Sequence, residues 1–421
     1  MDTAPRPFSS LPRYGLLLAP LLLSGCLSGL DSDLHKPATA GTEAPAKRFE
    51  TPEYNAQRAL ALVKASALYA LGGTGKGVRV AIIDSGLNSD LPEFKDRLAT
   101  PGHDYVRNVP GLIDPHGHGT QMAGIVAANR DGQGMHGIAF DARLIVMRIG
   151  DNNEPFFFDE QIAHAWKDSF ATGARILSNS WANDIPATEI TEARYKQVMG
   201  DSLPVARQLV ADGAVFVFPT GNELRREPLA EPGLPLALPE LEKGWIAVVA
   251  LKNDGTAINQ KSNYCGVAER WCIAVPGGDG GVDRGLLTTS AKGGYTQTAG
   301  TSPAVALVSG ALAALQSRFP ELTPQQLREV LLDSANHSGL YAKGEAYGRG
   351  LTGPGGSGAT GSRTAEAAAD NAGPAVTNLH KQTTRQTGRV VGLDQLAIQR
   401  FLTRSIAASY TGLAFCSLAN S

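Results

Sequence analysis

The sequence has no excess of either charge, with 38 Lys and Arg against 40 Asp and Glu over 421 residues. A net charge near zero gives no electrostatic reason to expect nucleic acid as a partner. Cysteine is scarce, at four residues. No second cysteine pair or His-x-x-x-His spacing stands near Cys265 and Cys272, so the usual zinc patterns are missing and no metal site is expected. The N-terminal apolar run over 15–25 is interrupted by Pro20 and falls short of the roughly 20 apolar residues that span a bilayer. No internal repeat is present. Hydrophobic residues still make up 43% of the chain and charged residues 19%, enough to bury a substantial core in one large domain or two ordinary ones.

Arg6 and Arg13 precede that apolar run, and residues 1–26 read as a targeting segment. Its end, Leu23-Ser24-Gly25-Cys26, resembles the lipobox of bacterial lipoproteins, in which the cysteine is acylated and becomes the mature N-terminus. An ordinary cleaved signal peptide is the plainer alternative. Acyl chains, at about 0.8 kcal/mol per buried CH₂, would hold the protein to a bacterial membrane surface, outer membrane or cell surface. Export fits the cysteines that remain. Cys265 and Cys272, seven apart, suit a disulfide closing a small surface loop in an oxidising compartment; two buried thiols are the competing reading.

Residues 27–55 are rich in Ser, Pro, Ala and Thr and read as a flexible tether. From 56 to 347 the chain reads as one domain. An alanine-rich stretch over 55–71 has helical spacing, and from Gly77 onward strand-like and helix-like stretches alternate. Short β-branched runs predict strands over 78–83, 144–149, 176–180, 214–218 and 246–250; helices are expected over 119–129, 159–171, 192–212 and 302–318. A last helix starts at Thr323, with Pro324 in its first position and Gln326 completing a capping box. This order predicts an α/β domain: a mostly parallel sheet, buried on both faces, flanked by helices in three layers. Residues 348–421 are of low complexity at first and carry no clear continuation of the pattern; they read as a disordered tail.

Three segments place chemistry where an α/β sheet presents it, past a strand end or at a helix start. Asp84 ends the apolar run VRVAIID, where a carboxylate must be compensated to be buried; a turn aspartate is the bland reading. His118 lies in His116-Gly-His118-Gly-Thr-Gln-Met-Ala-Gly124, whose small residues permit close packing. A surface loop or a metal pair with His116 is the alternative, although no third ligand is spaced to help. Ser302 follows Ala-Gly-Thr and opens a small, apolar helix, where a serine alone is usually an N-cap. Together they supply a hydroxyl, a base to take its proton and a carboxylate to orient that base.

The segments DSG, HGTxxAG and GTSxA, in that order over about 78–335, resemble the subtilisin-like serine peptidases, or subtilases. The resemblance implies that Asp84 orients, His118 acts as base and then acid, and Ser302 attacks a peptide carbonyl. It also implies that Asn222, in Phe-Pro-Thr-Gly-Asn222-Glu after a strand run, donates to the oxyanion. A turn asparagine is the alternative there. Ser180-Trp181-Ala182 resembles the family segment that pairs with substrate backbone, against a core strand end with a buried tryptophan. Protein or peptide substrates follow. No cofactor is required; calcium is common in the family, but no carboxylate cluster identifies a site.

Two departures are plain. Pro303 replaces the usual methionine after the nucleophile and can shift its rotamer, and Val305-Ala306-Leu307 replaces the usual Ala-Pro-His. The 51 residues from Cys26 to Gly77 are short for a folded propeptide. With the lipobox and the CGVAERWC segment, this is similar to the passenger domains of lipoprotein autotransporters. Those end in a membrane β-barrel, for which the 74 residues after Tyr347 leave no room, so a truncated or rearranged relative is expected. The competing classes are a catalytically silent peptide-binding lipoprotein and an esterase; the latter lacks its Gly-x-Ser-x-Gly elbow.

Overall fold

Successive side chains of a strand point to opposite faces, and in this chain both sets are apolar. The computed structural model describes residues 43–150, 158–280 and 284–352. Among these, one eight-stranded sheet contains β1 (Arg79–Asp84), β2 (His103–Asp104), β3 (Val109–Pro110), β4 (Arg143–Arg148), β5 (Ile176–Asn179), β6 (Val215–Pro219), β7 (Trp245–Leu251) and β8 (Cys272–Pro276). Their order is β3-β2-β4-β1-β5-β6-β7-β8, and only β2 with β3 is antiparallel. A two-stranded antiparallel ribbon of β9 (Leu286–Thr289) and β10 (Tyr295–Thr298) stands apart from it.

Val80, Ile82, Val215 and Val217 contribute to one core, and Ala81, Ile83, Phe216 and Phe218 to the other. The first core is covered by helices His118–Ala127 and Thr301–Arg318, the second by Asp159–Ala171 and Ser202–Ala211. This is the expected three-layer α/β arrangement. The second face is aromatic, with Trp166, Phe216 and Trp245 in ring contact at about 5 Å. The first is packed with small groups. Gly310 illustrates the tightness: a Cβ there would lie 2.2 Å from Ile138 Cγ2 and 3.4 Å from the Val126 Cα of the His118 helix.

The five expected strands occur within a residue or so of their predicted ends, and the capping box of Thr323 and Gln326 forms. The strands not foreseen, β2, β3, β8, β9 and β10, are five residues or shorter. The helix expected over 192–212 is two, Glu192–Val198 and Ser202–Ala211. Gly200 disfavours helix between them, and Pro204 suits the first turn of the second. The stretch over 55–71 is likewise divided into Arg58–Leu62 and Ala65–Ala70, separated at Lys64 by a left-handed φ of 53°. Within the stretch read as tether, Glu43–Lys47 and Pro52–Asn55 are helical and Tyr54 is buried. Beyond 347, Leu351 bridges to Ala274 and Asn336. The readings placed on 1–42 and 353–421, Cys26 included, lie outside the described residues.

Cys265 and Cys272 are joined in a disulfide with Cα atoms 5.8 Å apart. The loop between them lies at the surface as expected, with Glu269 and Arg270 exposed, while the bond itself sits in the core. Both cysteines are fully buried, because Cys272 begins β8 beside Ala247 of β7. Trp271, between them, donates its indole N–H to the Pro232 carbonyl at 2.8 Å. Among the described residues, no helix is long and apolar enough to cross a membrane.

The His118 helix reaches the end of β1 through Gly119, where a Cβ would lie 2.2 Å from the carbonyl oxygen of Gly86. Backbone cannot yield there as a flexible side chain would. Gly119→Ala is therefore expected to lower unfolding free energy by about 1–3 kcal/mol, read from the urea midpoint at unchanged slope.

Candidate active site

β1 and β5 are neighbours in register, with Ile83 opposite Asn179, so Asp84 and Ser180 emerge side by side on the carboxyl rim of the sheet. β6 lies next to β5, and the chain leaving it carries Thr220, Gly221 and Asn222 from the same rim. Ligands of open α/β sheets bind beyond this edge.

Asp84 is only 4% exposed, and its burial is compensated. Its Oδ1 accepts the Ser85 N–H at 2.7 Å and lies 2.8 Å from His118 Nδ1. His118 is the first residue of its helix, following Gly117 in a left-handed conformation. Burial pulls the imidazole pKa down, but the charge and hydrogen bond of Asp84, with the charge of Asp114, outweigh it. The net direction is upward from 6.5. The side chain keeps 26% of its surface exposed, so the ring is accessible.

Ser302 is the second residue of helix Thr301–Arg318, after Gly300, whose φ of 133° excludes most other residues. It is tied to the rim by a reciprocal pair: Ser302 Oγ donates to the Ser180 carbonyl and Ser180 Oγ to the Ser302 carbonyl, both at 3.2 Å. The hydroxyl thus engages a main-chain oxygen rather than the imidazole. On the other side, Asn222 Oδ1 accepts from Thr301 N–H at 3.0 Å and Thr301 Oγ at 3.2 Å. Two donors on one end fix which end of the amide is oxygen, and Nδ2 is left to donate elsewhere.

Asp84, His118, Ser180, Asn222 and Ser302 therefore meet at the ends of three consecutive strands. Ala182 is half-buried just beyond. Trp181 departs from the substrate-binding reading: at 7% exposure its indole donates to the Ile83 carbonyl at 3.1 Å and stacks on Trp166. Its side chain belongs to the core and laces β5 to β1. His116 is exposed, its ring 6.1 Å from that of His118. Among the described residues, no group of three or more His, Cys, Asp or Glu is arranged to hold a metal ion.

Sequence reasoning missed two carboxylates. Asp114 receives Ser85 Oγ, Gly117 N–H, Thr120 N–H and Thr120 Oγ at 2.6–2.8 Å. Its signal was present, since an acidic residue three before Gly117 is placed to cap the helix that follows. Glu231 is fully buried and accepts the Asn183 N–H and side-chain amide at 2.7 and 2.6 Å, and the Tyr195 hydroxyl at 3.3 Å. Burial pushes its carboxyl upward despite those donors. Partners so distant in sequence leave no local pattern.

Comparison with known proteins gives the family. The extracellular serine protease of Serratia marcescens is 27% identical over 392 residues, covering 80% of this chain and 37% of its own. The autotransporter lipoprotein NalP of Neisseria meningitidis is 23% identical over 357 residues, covering 66% of this chain and 32% of its own. This chain thus spans about a third of the length of these relatives. Subtilisin NAT of Bacillus subtilis subsp. natto is 27% identical, with 67% of each chain covered. In fold, the chain is similar to the epidermin leader peptide processing protease of Staphylococcus aureus, with a TM-score of 0.58 at 20% identity over 72% of this chain and 80% of that one. The subtilase family model matches residues 75–372, which takes in the whole rim just described; with more than half of its length matched, this chain belongs to the subtilase family.

Proposed function

We propose that this subtilase is an exported serine endopeptidase in which Asp84, His118 and Ser302 form the catalytic triad. The observation that carries the reading is the 2.8 Å contact of a buried carboxylate with His118 on the same rim as Ser302. Asp84 fixes the imidazole with Nδ1 protonated, leaving Nε2 as the base. On substrate binding, the Ser302 hydroxyl turns from the Ser180 carbonyl to Nε2, in keeping with catalytic hydrogen bonds that tighten only in the complex. Oγ then bonds to the scissile carbonyl carbon while His118 takes the proton. The oxyanion accepts from Ser302 N–H and Asn222 Nδ2, both present before the charge develops. Pro303 lacks an N–H, but that donor is not needed. His118 passes its proton to the departing amine, and water releases the acyl group by the same steps reversed in role. This chemistry needs no cofactor. An extended peptide would pair with the backbone at Ser180–Ala182, which favours main-chain recognition over side-chain selectivity.

Two of the relatives bear on location: one is named extracellular and the other an autotransporter lipoprotein. With the segment Leu23-Ser24-Gly25-Cys26, they support export and lipid attachment at Cys26.

A fluorophosphonate probe is expected to label the purified protein and to leave Ser302→Ala unlabelled. Absence of labelling on folded wild-type protein would favour a silent peptide binder. For Asn222→Ala, kcat on a peptide substrate should fall about 10²–10³-fold with little change in KM, a magnitude that itself comes from subtilisin. In the native host, Cys26→Ser should move the protein from the membrane to the soluble fraction; unchanged membrane association would count against the lipid anchor.

A further inference from the structure

Asp114 lies between β3 and the His118 helix, half-buried, with both oxygens occupied by donors. A carboxylate with four donors at a helix start is well compensated, and the helix dipole favours it further. The identity of the donors is more informative than their number. Ser85 donates its hydroxyl to Asp114 at 2.8 Å and accepts the Gly119 N–H at 2.8 Å on the same oxygen. Its own N–H holds Asp84 Oδ1 at 2.7 Å. The backbone on either side of His118 therefore ends in one cluster: Gly117 N–H on Asp114, and Gly119 N–H on Ser85. The residue that orients the catalytic carboxylate is, through its hydroxyl, also tethered to Asp114.

We propose that Asp114 is a positioning residue of the active site, holding the first turn of the His118 helix and the β1 end in the one alignment that brings the imidazole against Asp84. The inference rests on the triad reading above. Asp114 also places a second negative charge beside His118. The other ionisable groups near the ring are Asp84 and His116. Those on the packed elements are engaged elsewhere: Glu93 with the Tyr295 hydroxyl, and Arg148 with Asp104. β9 contributes only the hydroxyls of Thr288 and Thr289, spent on Gln121 and Thr120 carbonyls. Removing the Asp114 charge should thus lower the imidazole pKa, since a negative charge there favours the protonated ring. A residue that only capped the helix would change stability and leave the pH dependence of the chemistry where it was.

The test is the rate of fluorophosphonate labelling of the full chain as a function of pH, for wild type, Asp114→Asn and Ser302→Ala. Wild-type labelling should rise with pH through a midpoint above the ordinary histidine value of 6.5. In folded Asp114→Asn the plateau rate should fall about tenfold to a hundredfold, the cost of a small misplacement, and the midpoint should move to lower pH. A wild-type plateau, or a reduced plateau with an unmoved midpoint, overturns the proposal. Should Asp114→Asn not fold, Ser85→Ala decides, because it cuts the tether and leaves the charge: slower labelling upholds the proposal and a wild-type rate overturns it. A wild type that does not label, or a Ser302→Ala that does, brings down the triad reading instead and is recognised as such before Asp114 is considered.

Discussion

A carboxylate buried at the end of a parallel strand costs several kcal/mol unless its oxygens find donors, and that constraint on Asp84 organises the rim of this molecule. The Ser85 N–H and the His118 imidazole meet the need. Supplying the imidazole requires a helix start within bonding distance of β1, which requires glycine where the two backbones touch. Supplying the N–H requires Ser85 to stay where it is, and its side chain is engaged accordingly. The chemistry of the site and the solvation of one side chain are thus met by the same contacts.

The remainder of the site is assembled across the sheet rather than along the chain. Adjacent strands bring Asp84 and Ser180 to one level, and the helix that carries Ser302 is moored between Ser180 and Asn222. Trp181 adds a lateral tie from beneath through the Ile83 carbonyl. The rim therefore rests on the aromatic core of the second face, while the two helices that carry His118 and Ser302 lie on the first.

Much of this was legible in the sequence because the features involved are local. The alternating apolar runs of β1, β4 and β6 announce strands buried on both faces, and the Thr323 capping box announces itself in four residues. The motifs around Asp84, His118, Asn222 and Ser302 are each contiguous. What escaped was non-local or very short. β2 and β3 are two residues each and exist only through pairing. Glu231 contacts Asn183 and Tyr195 from more than thirty residues away. Trp181 could not be divided between pocket and core from its strand position, since successive residues at a strand end face opposite ways. The Ser302 rotamer was also beyond reach, since it depends on a carbonyl 122 residues distant.

The glycine at 310 has a reach beyond its own packing. There the helices that carry Ser302 and His118 pass within backbone distance of each other, with Val126 on the opposite side. Eight residues, about 12 Å of helix, separate this crossing from Ser302. A side chain at 310 would press the two helices apart at this crossing. The spacing of the two helix starts, where Ser302 and His118 lie, thus rests in part on the missing side chain two turns below.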